Sequence, residues 1–175
     1  ITALDMSVLT VQLITTASAL GVAVSSRFWG LLCDTYGYRP ILQILTVAKV
    51  FTPLPFILVP AWPPLAISGL TVAMFVDGVL NSGLTLAMQG VMLKATPKSN
   101  RTMYIASVNF LSVGLMAGIT PVFAGRFVDA LNAAGPWIVG CWAFNGYHAI
   151  FAVSAFLRAG AVPLAAFIRE PSAVA

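Results

Sequence analysis

Three charged residues stand where charge is costly. Lys49, Asp77 and Arg158 each interrupt a stretch of apolar sequence long enough to cross a bilayer. A charge in the middle of such a stretch costs about 2.5–3.5 kcal/mol on insertion scales, so each needs a reason to be there. Asp77 is the only acid available to either base, and counting residues along spans that run in opposite directions puts it at a depth similar to that of Lys49. Two chemistries fit it. One is a buried ion pair that clips neighbouring helices together. The other is a carboxylate that titrates, taking a proton or a cationic solute in a central cavity. They are compatible if the pair opens during a working cycle. Asp77, Asn81 and Thr85 are four residues apart and so form one polar stripe along a helix face. Gln12, Thr15 and Thr16 share another face, as do Asn109 and Ser112. Such Ser, Thr and Asn side chains also glue membrane helices together by hydrogen bonds.

The elements that must position these residues are apolar spans. Of the 175 residues, 59% are hydrophobic and 8% charged, with a mean hydropathy of +0.95. Soluble domains carry about 25% charged residues, so a chain this poor in charge belongs in a membrane. A spanning helix needs about 20 mostly apolar residues. Five segments qualify: 6–28, 41–59, 65–88, 103–123 and 147–168. The expected fold is all-α, a polytopic transmembrane helix bundle in one partial domain over residues 1–175.

The connections carry the remaining charge. Arg27, Arg39, Lys94, Lys98, Arg101 and Arg169 fall on one side of the bundle, and Arg126 on the other. Lys- and Arg-rich loops stay in the cytoplasm, so the 29–40 connection and the C-terminus are expected there. The net charge of +4 is spread over the whole chain and forms no nucleic-acid stripe. Cys33 and Cys141 lie far apart, and His148 has no ligand-like neighbours, so neither a metal nor a cofactor is expected. Trp62, Trp137 and Trp142 read as interface anchors. Pro53, Pro55, Pro121 and Pro163 mark kinks or thinned helix ends. Gly114 and Gly118 form a GxxxG pair, which lets helices approach closely. The chain starts in an apolar run without Met and is read as a fragment of a longer protein.

Residues 29–42, WGLLCDTYGYRPIL, place Gly30, Leu32, Asp34, Gly37, Arg39 and Leu42 at the spacing G-x-L-x-D-x-x-G-x-[RK]-x-x-L. This resembles the cytoplasmic loop signature of the major facilitator superfamily, which joins the second and third helices of each six-helix half. Thr35 and Tyr38 stand where basic residues are common. Gly37 permits a tight turn, Pro40 suits the first helical turn, and Asp34 can pair with Arg39 or Arg101 as a gate latch. TPKSNR with the span after it looks like the family's eleventh helix, and FLRAGAVPLAAFIREP like the end of the twelfth. The resemblance implies the eighth to twelfth helices of the C-terminal half, with the first half missing.

It further implies a secondary active transporter that moves a small solute by alternating access between two bundles, driven by protons. It would sit in the bilayer of a bacterial inner membrane. Asp77, Asn81, Lys49 and Arg158 would carry coupling. Gln12, Thr16, Thr85, Asn109 and Ser112 would line the cavity. Gly30, Asp34, Gly37, Arg39 and Arg101 would form the gate. No nucleotide-binding loop, Ser/His/Asp set or acid cluster points to an enzyme. The alternative is a non-transporting scaffold or assembly factor on the same fold.

Overall fold

The computed structural model describes residues 7–58, 63–133, 135, 137–139, 142–144 and 146–167. Trp62, Cys141, Arg169 and Glu170 lie outside these residues, as do the side chains of Lys98, Trp137 and Trp142.

Helix α1 runs from Val8 to Tyr36. Ser7 caps it, its Oγ accepting from the Thr10 N–H at 3.2 Å. At 29 residues it is about 44 Å long, well beyond the hydrocarbon thickness. The expected dozen-residue connection after it is therefore absent. The apolar residues Trp29, Leu32 and Cys33 recur at helical spacing and pack inward, which keeps the chain helical to Tyr36. The turn is one residue. Gly37 adopts φ 86° and its N–H donates to the Cys33 carbonyl at 3.0 Å. A side chain there would be strained, so glycine is required. Helix α2 (Tyr38–Val50) leaves at once, with Pro40 in its first turn.

The chain breaks at Phe51–Pro53 and resumes as the short α3 (Leu54–Ile57). Helix α4 (Pro63–Ala95) opens on two prolines, which lack only N–H groups that a first turn leaves unpaired. A 3₁₀ turn at Lys98–Asn100 leads into the fourth span. That span is α5 (Arg101–Asn109), a π-helical stretch (Phe110–Leu115) and α6 (Met116–Ala133) in series. Arg126 and Asp129, expected in a loop, are inside α6. A two-stranded antiparallel hairpin follows, β1 (Trp137–Val139) on β2 (Trp142–Phe144), and then α7 (Gly146–Phe167). The Asn132 Oδ1 accepts from the Gly146 N–H at 2.8 Å and so caps α7.

Among the described residues, five helical stretches are long and apolar enough to span a membrane. Helix α4 is the central post, packed along α1 on one side and α2 on another; α7 packs on α2 and α3, and α6 on α7. The tightest crossing is α1 on α4. A Cβ on Gly78 would overlap the Ser18 backbone, and one on Gly21 would overlap the Phe75 carbonyl. Ala17 and Ser25 lie one turn either side of Gly21, so a ladder of small residues lets the two backbones touch. Trp29 then lies over Gly83, its indole N–H donating to the Val79 carbonyl at 2.8 Å. Nearby, Cys33, Ile41, Leu42, Leu45 and Ala87 form the buried core. Gly114 and Gly118 do not form such a crossing. A Cβ on Gly118 would meet nothing within 4 Å, and one on Gly114 only the ring of Phe110 on its own helix. The close contact of α6 with α7 is instead at Val128, Asn132 and Gly146.

Candidate functional site

The site gathers where α2 stops. In an unbroken helix the Lys49 carbonyl would accept from the N–H of residue 53, but Pro53 has none. Thr52 takes that place, its N–H reaching the carbonyl at 3.4 Å and its hydroxyl donating to it at 2.9 Å. Arg158 of α7 adds a further donor: its Nη1 bonds the Lys49 carbonyl at 3.2 Å and Thr52 Oγ1 at 2.5 Å. The carbonyl that Pro53 leaves open, the Thr52 hydroxyl and the guanidinium thus meet at one point.

The Lys49 side chain turns the other way, to α4. Its Nζ lies 2.7 Å from Asp77 Oδ1, with the side chains 10% and 27% exposed. The shared depth of Lys49 and Asp77, expected from counting residues along antiparallel helices, is met. Of the two bases, Lys49 takes the carboxylate and Arg158 does not; among the described residues Arg158 makes no ion pair. Lys49 also sits in the last turn of α2, where the helix dipole favours a cation.

The rest of the polar stripe extends away from this pair. Asn81 and Thr85 follow Asp77 on α4, both exposed. Gln12, Thr15 and Thr16 are exposed on α1, the two hydroxyls donating to the Gln12 carbonyl at 2.9 and 2.8 Å. Asn109 and Ser112 are exposed at the start of the π-helical stretch, and the Ser112 hydroxyl bonds the Val108 carbonyl at 2.6 Å. Among the described residues no hydrogen bond joins these side chains to the Lys49, Asp77 and Arg158 cluster.

The 29–42 motif divides. Gly30 and Asp34 are on α1, with Asp34 exposed, and among the described residues no ion pair joins Asp34 to Arg39 or Arg101. Asp34 is on the outer side of the last turn of α1, and Arg39 is committed elsewhere. Its Nη2 donates to the Ala166 carbonyl at 3.1 Å, and Gln43 one turn on reaches the Ala165 carbonyl at 3.4 Å. Together they tie α2 to α7 at Ala165 and Ala166. Lys94 stacks over the Tyr38 ring at 4.9 Å. Among the described residues, Arg101 Nε is buried with no hydrogen-bond partner.

Sequence reasoning missed Thr52, Ser25 and Trp29. Thr52 was detectable as the hydroxyl beside the Pro53 break. Ser25 was detectable as the third rung of Ala17, Gly21 and Ser25. Nothing local marked Trp29, whose partner is fifty residues away.

Five apolar spans around a mid-span ion pair define an integral membrane protein of the polytopic helical class. The sequence profile of the Major Facilitator Superfamily matches residues 1–174. The chain belongs to that superfamily, and a membrane transporter is what its family makes it. Comparison with curated proteins and with solved structures gives no match.

Proposed function

We propose that the chain is the C-terminal portion, helices eight to twelve, of a proton-coupled secondary transporter that moves a small solute by alternating access. Its partner is the N-terminal half of the same protein, and its setting is a bacterial inner membrane with the C-terminus in the cytoplasm. The observation that supports this reading is the 2.7 Å contact of Lys49 with Asp77 inside apolar helices. An ion pair at that depth has a cost that a role in the transport cycle would account for. A 27% exposed Asp77 side chain is within reach of a proton donor from an aqueous cavity.

Apart from Arg158, which bonds the Lys49 carbonyl, few ionisable groups belong to the elements around it. Helix α1 has none between Val8 and Ser26, α3 has none, and α7 brings Arg158 and, near its start, Tyr147 and His148. The remaining titratable groups of α2 and α4 are at their far ends, at Tyr38, Arg39 and Lys94. Asp77→Asn is the test. Uptake or efflux by the whole protein in proteoliposomes should lose its dependence on the pH gradient while solute exchange persists. Full pH-driven flux in Asp77→Asn sinks the coupling role.

A further inference from the structure

We infer that Arg158 is the docking point for a monoanion, so that the solute class is small organic acids with one carboxylate. This rests on the transporter reading above and names its solute. Charge decides the class. The cluster holds two cations, Lys49 and Arg158, and one anion, Asp77, which Lys49 already occupies. Both described bonds of Arg158 run from Nη1 to uncharged acceptors, the Lys49 carbonyl and the Thr52 hydroxyl. They fix the guanidinium in place without neutralising it. The opposite edge, Nε with Nη2, is the side of the fork that takes a carboxylate in two parallel hydrogen bonds.

A cation in an apolar span without a counter-ion calls for one. A neutral solute leaves the charge uncompensated and a cationic one is repelled. A phosphate monoester, at about −1.5 to −2 near neutral pH, overshoots the single positive charge. A carboxylate matches it.

The test uses the whole transporter in detergent, with thermal unfolding measured against acetate, lactate and benzoate, their amides, and methyl phosphate. At least one carboxylate should raise Tm saturably while its amide and methyl phosphate do not. Arg158→Gln should weaken that half-saturation at least tenfold, and Arg158→Lys less. The assignment is overturned by equal stabilisation from the amides or methyl phosphate, by no response to any carboxylate, or by an undiminished response in Arg158→Gln. If Arg158→Gln does not fold, the carboxylate-to-amide contrast on the unaltered protein and the Lys variant still decide it. Flux separates the two readings. Proteoliposomes that move glucose or choline but show no carboxylate response keep the transporter and lose the anion. Carboxylate binding with no flux of any of these solutes keeps the anion site and loses the transporter.

Discussion

Two regions of this bundle carry the same small-residue spacing and use it differently. On α1 and α4, Gly21 and Gly78 bring backbones into contact over a buried core. On the fourth span, Gly114 and Gly118 stand exposed, and no described side chain from another element closes on them. Small residues permit close approach but do not cause it. What holds α1 on α4 is a second layer: Trp29 hydrogen-bonded to the Val79 carbonyl, the Ser25 hydroxyl 3.5 Å from the same carbonyl, and the ion pair from α2 clamping α4 on its other side. The fourth span has no equivalent. Its hydroxyls at Ser107 and Ser112 bond only their own helix, and it packs mainly through α6 against α7.

The largest break in that contrast should come from the ion pair. Asp77→Leu leaves Lys49 buried and unpaired, which costs on the order of 3–5 kcal/mol. Adding Lys49→Met should recover most of that loss, because an apolar pair of similar volume replaces the ions. Asn109→Leu on the open span, similar in size, should change stability by about 0.5 kcal/mol or less. Thermal unfolding of the three variants and the unaltered protein in one detergent measures this. A double variant no more stable than Asp77→Leu would mean that Lys49 is not held by Asp77.

Much of this architecture was legible in the sequence, for reasons that also mark where legibility stops. Apolar length gave the five spans, and residue counting along antiparallel helices put Lys49 level with Asp77. Gly37 was identified as the turn because only glycine is at ease at φ 86°. The Arg158 contact was not legible as an ion pair, because it is with a carbonyl. Its signal was Pro53, four residues after Lys49, whose missing N–H frees that carbonyl. Asp34 was expected to pair with Arg39 or Arg101, and among the described residues it pairs with neither. The pairing with Arg39 fails because Gly37 ends one helix and starts another, sending Arg39 to the end of α7. Charge spacing along a chain says little once a turn reverses it.

A middle-sized effect sharpens the comparison of glycines. Gly78→Ala puts a methyl group into the Ser18 backbone, where neither partner can rotate away, and overpacking of this kind costs about 1–3 kcal/mol. Gly118→Ala meets open space and should be neutral within about 0.5 kcal/mol. Recovery of monodisperse protein after heating, compared for the two variants, reads the difference. Equal loss in both would show that Gly118 is packed in the membrane against a neighbour outside the described residues.

The smallest effect isolates one hydrogen bond. Trp29→Phe keeps a ring over Gly83 but removes the indole donor from the Val79 carbonyl. That carbonyl can also accept from the N–H four residues on in α4, so it is not orphaned. The loss should be that of one net hydrogen bond, about 1 kcal/mol, together with some lost ring contact. Ser112→Ala removes a hydroxyl that bonds only its own helix, to the Val108 carbonyl, and should cost less than half as much. The unfolding midpoint of Trp29→Phe should therefore fall by a few degrees and that of Ser112→Ala hardly at all. If the two fall equally, the indole bond adds nothing to the α1–α4 crossing. The crossing would then rest on the contact of Gly21 and Gly78, with Ser25 and the ion pair behind it.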